Sequence, residues 1–405
     1  MLRRSLLALL GCVPLLAQQT EKPYVLLISF DGFRYDYAER FEAKNLLALG
    51  KRGVAAKALL PSFPSTTFPN HHTIVTGLYP SHHGIVENGF WDPALRQRFL
   101  FSDPKLNSDP KMWGVTPLWV LAEKQGVRSA AYFWPGTDVD IEGTRPSIYH
   151  RYDGKVTNEA RVAEVVSWMK LPLEKRPHLM TLYFSDVDHE GHSFGPDSAE
   201  TKAAVQALDK CLGDLVAGFD QAGAKVNIVV VSDHGMVKTL GQIDLGKLAN
   251  FADVRTNSSG TDFKIYSDDK AKLDAVYDAL KKTPDDRFSV YRQAEIPARL
   301  HYSGNARIGD VVVLSDKPFG LTVSDPNRSP RNGNGGGQRF THGFDVSQVP
   351  EMKAIFYAAG PNIKPGLTID EFENVHIYPW IAQILGLHVT EKIDGDAKVL
   401  APVLR

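Results

Sequence analysis

The stretch that decides the fold class is Tyr24-Val-Leu-Leu-Ile-Ser-Phe30, which is followed at once by Asp31-Gly32. A continuous apolar run of this kind is typical of a parallel strand that is buried on both faces of a sheet. A helical pattern follows it and ends at Gly50, a residue type that commonly stops helices. The folded part of the chain therefore begins with a buried strand and a helix.

The same alternation of apolar strands and helices continues along the chain. It predicts an α/β fold, with a mostly parallel central sheet and helices on both faces. Helices are predicted at 117–124, 158–169, 199–222 and 377–385, and strands at 127–133, 179–184, 226–232 and 352–358.

A different pattern occupies segment 255–323, where short strands at 262–266 and 310–314 surround a helix at 270–282. We interpret this segment as a small α+β subdomain inserted into a catalytic domain that spans 22–400. The glycine- and asparagine-rich run 327–338 is expected to be a flexible surface loop.

Composition and charge restrict the class of protein. The chain has 405 residues, a formal net charge of -1 and a pI near 6.9. This is ordinary globular composition, and the absence of a basic excess argues against specific binding to a nucleic-acid polymer.

The N-terminus has the pattern of a secretory signal peptide. Arg3 and Arg4 precede an apolar run at 6–16, which is too short to span a bilayer, and Ala17 precedes polar residues. Residues 1–17 are therefore predicted to be a signal peptide, and no transmembrane anchor is expected after its removal. The alternatives are an uncleaved anchor and a lipoprotein cleavage site at Cys12.

Cysteine usage suggests the compartment. Loss of the signal would leave Cys211 as the single cysteine, so no internal disulfide could form. An exported protein of this size without disulfides suits a bacterial periplasm.

Carboxylates and imidazoles follow several of the predicted strands. In an open α/β sheet, ligands bind beyond the carboxyl ends of the strands, so these side chains should converge at one edge. Their mutual repulsion requires a cation, and a mixture of aspartate and histidine without cysteine suits zinc or a similar divalent ion. The candidates are Asp31, Asp188, His192, Asp233, His234 and His342.

The size of this set indicates two metal ions, because one zinc takes about four ligands. Two metals about 4 Å apart clamp the attacking and leaving oxygens of a phosphoryl displacement. Each residue alone is a weak signal. An aspartate at a strand end is usually a helix cap or a turn residue, and Asp233-His234-Gly235 is also compatible with a simple turn.

A candidate nucleophile lies in Pro61-Ser-Phe-Pro-Ser-Thr-Thr-Phe-Pro-Asn-His-His-Thr-Ile-Val-Thr-Gly-Leu-Tyr-Pro80. Metal coordination can lower the pKa of a threonine hydroxyl enough to make it nucleophilic. A helix that begins near Pro69 would also offer its N-terminal N–H groups to a phosphate. The alternative is that Thr66 and Thr67 only cap the helix.

Several of these motifs together resemble the nucleotide pyrophosphatase/phosphodiesterase family of the alkaline phosphatase superfamily, in a bacterial single-domain form. The resemblance covers most of the chain and implies an alkaline phosphatase-like fold. It rests on Thr67-Phe-Pro-Asn-His71, Thr76-Gly-Leu-Tyr-Pro-Ser-His-His-Gly-Ile-Val-Glu-Asn88, Phe133-Trp-Pro-Gly136, Gly191-His-Ser-Phe-Gly-Pro196, Ser232-Asp-His-Gly-Met236 and Thr341-His-Gly343.

The resemblance implies a role for each matching residue. Thr67 would be the nucleophile and form a covalent nucleotidyl-threonine. Asn88, with the backbone N–H of Thr67, would bind a non-bridging phosphate oxygen. One zinc would be held by Asp188, His192 and His342, and the other by Asp31, Asp233 and His234 with Thr67.

The resemblance also implies a nucleobase site formed by Phe68, Tyr152 and Tyr183, for which the alternative is ordinary core packing. Two departures bear on the substrate. Thr66 stands where several animal members carry lysine, and Ser185-Asp-Val-Asp188 replaces the Glu-Glu-Pro-Asp of many nucleotide-cleaving members. The histidines that match no ligand position are expected to be structural or to lie at the rim, namely His71, His72, His82 and His83.

The resulting hypothesis is an exported two-zinc phosphodiesterase/nucleotide pyrophosphatase that releases nucleoside 5′-monophosphates. One alternative keeps the mechanism and changes the substrate to a phospholipid headgroup or another phosphodiester. The other alternative is a non-catalytic exported protein that retains the metal site.

Overall fold

An eight-stranded sheet forms the centre of the molecule in the computed structural model, which describes residues 22–324 and 339–405. The signal peptide predicted at 1–17 and the loop predicted at 327–338 lie outside the described residues. The strands of this central sheet, in spatial order, are Leu367–Ile369, Val54–Ala56, Phe356–Ala359, Val226–Val231, Tyr24–Phe30, Leu179–Phe184, Ser129–Tyr132 and Ile148–His150.

All but one of these strands run parallel, which confirms the predicted α/β class. Tyr24–Phe30 pairs in parallel with Leu179–Phe184 on one side and with Val226–Val231 on the other. The exception is Phe356–Ala359, which is antiparallel to both of its neighbours. It begins four residues later than predicted, because residues Pro350–Met352 first form a 3₁₀ turn.

Helices cover both faces of the central sheet. Along the first strand, Val25 and Leu27 face one hydrophobic core, whereas Leu26 and Ile28 face the other. This alternation explains why the whole run is apolar. The first core takes helices Thr67–Thr76, Leu118–Lys124 and Ile377–Leu385, and the second takes Tyr37–Arg40, Lys44–Arg52, Asn158–Trp168 and Ala199–Gln221. The remaining α-helices are Pro80–His83, Pro104–Asn107, Asp186–Phe194 and Lys270–Lys281.

Most predicted boundaries hold to within one or two residues. The strand predicted at 127–133 is shorter and spans Ser129–Tyr132. At its start, the N–H of Val127 donates to Ala122 and closes the preceding helix. At its end, Phe133 adopts a left-handed conformation with φ of 67°, which takes the chain out of the sheet.

Segment 255–323 contains a four-stranded antiparallel sheet, here called the small sheet, and helix Lys270–Lys281. Phe263, Ile265, Leu273 and Val276 belong to a hydrophobic core of its own. That the segment is an inserted subdomain stays a prediction. The strands of the small sheet, in spatial order, are Arg255–Ser258, Asp262–Tyr266, Val311–Ser315 and Phe288–Arg292.

Short strand pairs complete the fold of the described residues. Among these residues, no helix is both long and apolar enough to cross a bilayer. Cys211 is a buried free thiol. The pairs are Gly89–Asp92 with Gln97–Leu100, Leu59–Leu60 with Phe372–Glu373, Val237–Lys238 with Phe340–Thr341, and Gly241–Asp244 with Phe319–Thr322.

Candidate active site

The predicted acidic and imidazole residues meet at the carboxyl ends of three adjacent strands. Asp31 follows the central strand Tyr24–Phe30 directly. Asp233 and His234 follow the neighbour on one side. On the other side, strand Leu179–Phe184 leads into helix Asp186–Phe194, which carries Asp188 and His192 one turn apart. Because parallel strands end at the same edge, side chains from distant parts of the sequence come together.

Asp31, Asp233 and His234 form the first group. Nε2 of His234 lies 3.1 Å from Asp233 Oδ2 and 3.5 Å from Asp31 Oδ1. All three side chains are buried. The arrangement places imidazole and carboxylate donors at distances that a bound ion can bridge.

Asp188, His192 and His342 form the second group. Asp188 Oδ1 lies 3.4 Å from Nε2 of His192 and 3.8 Å from Nε2 of His342. Potential ligand atoms of Asp188 also lie within 4.8 Å of those of Asp31 and His234. The Asp188 carboxylate therefore stands between the two groups.

Three carboxylates of the site each have one oxygen without a hydrogen-bond partner in the described part of the chain. Asp31 Oδ1, Asp188 Oδ1 and Asp233 Oδ2 accept no hydrogen bond from any described residue. Burial, with repulsion from Asp233, raises the pKa of Asp188 to about 8. Burial and the neighbouring carboxylates also raise the pKa of Asp31 and of Asp233 well above the usual range. Uncompensated buried carboxylates are strongly unfavourable, so the site fits a cation.

The three histidines are oriented as metal ligands are. The Nδ1 atoms of His192, His234 and His342 lie 2.8 to 2.9 Å from backbone carbonyl oxygens. An N–H at Nδ1 leaves the lone pair on Nε2, which faces the carboxylates. Burial lowers the pKa of all three imidazoles, that of His342 to about 3, so the rings are neutral at pH 7. Neutral imidazole and carboxylate donors without cysteine fit zinc.

Thr67 is the first residue of helix Thr67–Thr76, which begins two residues before the predicted start at Pro69. Its hydroxyl oxygen lies 3.2 Å from Nε2 of His234. The alternative role as helix caps gains no support, because the N-cap residue Thr66 makes no side-chain capping bond. The Thr67 hydroxyl thus lies at a helix N-terminus and against the first group.

Asn88 lies beside the same helix N-terminus. The N–H of Phe68 donates to Asn88 Oδ1 over 2.8 Å. This contact fixes the orientation of the amide, and Nδ2 donates to no described residue. The amide therefore has two N–H donors without partners among the described residues, and it is anchored to the first turn of the helix that Thr67 begins.

The three predicted aromatic residues occupy different environments. Tyr183 is buried, and its hydroxyl donates to Asp31 Oδ2 over 2.6 Å. Its ring meets that of Tyr152 edge-on at 6.1 Å, and the Tyr152 side chain is 56% exposed. Phe68 instead packs against Phe99, Phe101 and Trp113. The structure brings Tyr183 to the carboxylates and leaves Tyr152 open to a ligand.

His71, which was expected to be structural or to lie at the rim, is buried beside the first group, and its ligand atoms lie within 4.8 Å of those of Asp31 and Asp233. Its Nδ1 lies 2.8 Å from the carbonyl oxygen of Thr67 and 3.4 Å from Asp233 Oδ2. Nε2 lies 2.8 Å from the hydroxyl of Ser29. The spacing of four residues from Thr67 could have revealed it, because residues i and i+4 share one face of a helix. Of the other histidines, His72 and His83 are buried against each other and His82 contacts Asp394.

Comparisons with known proteins identify the family of the chain. The model of the family described as type I phosphodiesterase / nucleotide pyrophosphatase matches residues 25–345. An uncharacterized pyrophosphatase/phosphodiesterase of Schizosaccharomyces pombe is 38% identical over 380 residues, which are 90% of this chain and 77% of the relative. Ectonucleotide pyrophosphatase/phosphodiesterase family member 3 of Bos taurus is 36% identical over 383 residues, 90% of this chain but only 42% of the relative.

A solved structure gives the same result for the fold. It is murine ectonucleotide pyrophosphatase/phosphodiesterase 5, solved as an inactive variant with a threonine replaced by alanine and in complex with AMP. It matches with a TM-score of 0.86 and 30% identity over 95% of this chain and 100% of that one, which shows the alkaline phosphatase-like α/β fold. The chain belongs to the type I phosphodiesterase / nucleotide pyrophosphatase family of hydrolases.

Proposed function

We propose that the chain is an exported two-zinc enzyme that cleaves phosphodiester or phosphoanhydride bonds of nucleotides through Thr67 and releases nucleoside 5′-monophosphates. One observation carries the proposal. The Thr67 hydroxyl lies 3.2 Å from Nε2 of His234, beside carboxylates that each have one oxygen without a partner among the described residues. The complex of the murine relative with AMP, and the inactivity of its threonine-to-alanine variant, support a nucleotide substrate and a threonine nucleophile.

In this proposal the two groups of side chains hold one zinc each. Asp188, His192 and His342 bind the first ion. The second ion is bound by Asp31, Asp233 and His234, together with Thr67. The bound ions supply positive charge that lowers the pKa of the Thr67 hydroxyl and of the hydrolytic water.

The covalent step is a displacement at phosphorus. Thr67 Oγ1 gives up its proton and bonds to phosphorus, and the bond from phosphorus to the leaving oxygen breaks. The leaving group departs with the electron pair and takes up a proton. Water then attacks phosphorus, the bond to Thr67 breaks, and the hydroxyl regains its proton as the 5′-monophosphate is released. Charge builds on the non-bridging oxygens during both displacements.

Asn88 and the N-terminus of helix Thr67–Thr76 would stabilise that negative charge. Nδ2 of Asn88 and the backbone N–H of Thr67 donate to one non-bridging oxygen. Preorganised donors of this type lower the barrier because they require no reorganisation when the charge develops. The helix dipole at Thr67 adds a favourable partial positive charge.

The aromatic side chains support a nucleotide as the substrate. Tyr152, Phe68 and Tyr183 would bind the base by stacking, a contact that tolerates any base. The exposed ring of Tyr152 and the half-buried ring of Phe68 offer apolar surface for this purpose.

Export to a bacterial periplasm is the remaining part of the proposal. It rests on the signal-like pattern at 1–17 and on the single remaining cysteine, Cys211. The bovine relative is named an ectonucleotide enzyme, which agrees with export.

The deciding experiment is a paired assay on the purified protein. Metal content is measured by mass spectrometry, and hydrolysis of p-nitrophenyl thymidine 5′-monophosphate is compared with that of p-nitrophenyl phosphorylcholine and p-nitrophenyl phosphate. We expect two zinc ions per chain and a strong preference for the nucleotide diester. Preference for phosphorylcholine would move the substrate to lipid headgroups, and preference for the monoester would contradict the role of Asn88. Zinc without turnover of any substrate would favour a non-catalytic metal-binding protein.

A further inference from the structure

A fully buried cluster of one ammonium and two carboxylates lies close to Asn88 and consists of Lys264, Asp262 and Glu87. Nζ of Lys264 contacts the Asp262 carboxylate and lies 3.5 Å from Glu87 Oε2. The three side chains have no exposed surface. Lys264 and Asp262 belong to the small sheet, whereas Glu87 precedes Asn88 in the chain. A buried ion pair is weak evidence for stability, because desolvation offsets the attraction.

The buried charges connect directly to Asn88. Glu87 Oε1 accepts a hydrogen bond of 2.8 Å from the backbone N–H of Asn88. The side chain of Asn88 in turn accepts from the N–H of Phe68 at the start of helix Thr67–Thr76. A continuous chain of contacts therefore runs from Lys264 through Glu87 and Asn88 to the helix that carries Thr67.

Two further contacts hold the same segment. The hydroxyl of Tyr302 donates to the carbonyl oxygen of Val86 over 2.7 Å, and its ring lies 5.8 Å from Nζ of Lys264. The amide of Asn257, on the edge strand of the small sheet, donates to the carbonyl oxygen of Gly89. Residues 86–89 are thus fixed on both sides of Asn88 by residues of segment 255–323.

We infer that Lys264 is a positioning residue, which acts through Glu87 to hold the Asn88 amide where it donates to the substrate phosphate. The inference rests on the proposed role of Asn88. Donors in an active site must be held to within a fraction of an ångström, since small displacements lower the rate strongly. Burial and the Asp262 charge raise the pKa of Glu87 to about 7, whereas the Lys264 ammonium opposes this rise and so favours the ionised carboxylate that accepts from the Asn88 N–H.

The test is a double-mutant cycle measured with p-nitrophenyl thymidine 5′-monophosphate. Lys264→Met and Glu87→Gln are each made in the native chain and in the Asn88→Ala variant. We expect Lys264→Met to lower kcat about 10-fold in the native chain, as is typical when a supporting contact of a site is lost. The same change should have almost no effect on kcat when Asn88 is already absent, and zinc content and KM should stay unchanged.

Control variants separate this role from general stability. Lys270→Met removes an exposed lysine from the same segment, where it pairs only with Asp274, and should leave kcat unaltered. Glu87→Gln keeps the size of the side chain and removes the charge that faces Lys264. If Lys264→Met does not fold, Glu87→Gln tests the positioning role in its place. Its loss of kcat should be present in the native chain and absent in the Asn88→Ala variant.

The outcomes distinguish this inference from the proposed function. An equal loss of kcat with and without Asn88, or native kcat in folded Lys264→Met and Glu87→Gln variants, would overturn the positioning role. Native kcat in Asn88→Ala alone would contradict the proposed function instead, because Asn88 would then not bind the phosphate.

Discussion

The hydroxyl of Tyr183 donates a 2.6 Å hydrogen bond to Asp31 Oδ2, so one of the three predicted aromatic residues contacts a predicted metal ligand directly. The bond uses one carboxylate oxygen and leaves Oδ1 of Asp31, which has no partner among the described residues, facing His234. Tyr183 therefore orients a predicted metal ligand as well as contacting Tyr152. Residues that hydrogen-bond to a metal ligand without touching the metal commonly influence metal affinity.

Tyr183→Phe removes this hydrogen bond and keeps the ring. We expect zinc affinity to fall by about 10-fold or more, as is typical for the loss of an outer partner. KM for a nucleotide ester at saturating zinc should change little, because the ring remains. Competition with a chelating dye measures the affinity. Tyr37→Phe is the matched control, since the buried Tyr37 hydroxyl has no partner among the described residues; an equal loss in both variants would contradict the role of Tyr183.

Thr67→Ala should abolish turnover and leave zinc content and Tm close to native values. The substitution removes the proposed nucleophile but none of the six proposed carboxylate and imidazole ligands. Steady-state hydrolysis of the thymidine ester, with metal analysis of the same sample, provides the measurement. Thr67→Ser keeps a hydroxyl and should retain turnover, whereas substantial kcat in Thr67→Ala would rule out the covalent path.

Asn88→Ala should lower kcat by about 10²-fold or more, with a smaller change in KM. The reason is that a donor aimed at developing charge stabilises the transition state more than the bound substrate. The same kinetic assay measures the effect. Asn250→Ala is the control, because it removes the side chain of an exposed asparagine. A native rate would exclude Asn88 from the reaction.

The stability of the protein after removal of metal by a chelator should depend on pH. Asp188 has a folded-state pKa of about 8, whereas an aspartate in the unfolded chain titrates near pH 4. Between these limits the folded state holds a proton that the unfolded chain has released, so raising the pH favours unfolding. Each such carboxyl lowers the free energy of unfolding by up to about 1.4 kcal/mol per pH unit.

The effect of Asp188 on stability is best measured between about pH 6.5 and about pH 8. Below this range two histidines have the opposite effect. Burial lowers the pKa of His71 to about 4 and of His342 to about 3, so at mildly acidic pH only the unfolded chain binds protons at these residues. Their contribution makes stability rise with pH. Within the range, the Tm of the chelated protein should fall as pH rises. The zinc-loaded protein should show a much smaller fall, since its ligands are already deprotonated. Identical slopes for the two forms would contradict the ligand assignment.

Tyr152→Ala should raise KM for the thymidine ester by roughly 5-fold to 150-fold and leave kcat/KM unchanged for methyl p-nitrophenyl phosphate, which carries a methyl group in place of the nucleoside. Loss of a base–aromatic stack removes about 1–3 kcal/mol only from substrates that carry a base. Tyr35→Ala, at another exposed tyrosine, serves as the control. Equal effects on both substrates would show that Tyr152 supports the site rather than binding the base.

The strand-end rule explains how much of the site could be predicted. Asp31 and Asp233 follow apolar runs whose strand character is evident, so their convergence follows from parallel pairing. The position of His71 beside Asp233 does not follow from the sequence, because it depends on where the helix begins. That start was expected near Pro69 and lies at Thr67, since helix ends are set by local capping geometry.

Contacts between distant segments could not be predicted. Lys264 and Glu87 are separated by 177 positions, and neither residue has a sequence pattern that marks it as buried. Their burial depends on how the small sheet packs against residues 86–89, which composition and periodicity do not encode. The antiparallel direction of Phe356–Ala359 is a similar case, because an apolar run carries no information on its direction.

The two groups of ligands have a consequence for how the protein acquires its activity. Asp31 and His342 are about 310 residues apart in the chain, yet both belong to the same cluster of side chains. A nascent polypeptide that ends before His342 lacks one member of the second group. Long-range contacts of this kind form slowly, because their loop-closure entropy must be overcome first. The proposed two-ion site can therefore be complete only after synthesis has passed His342.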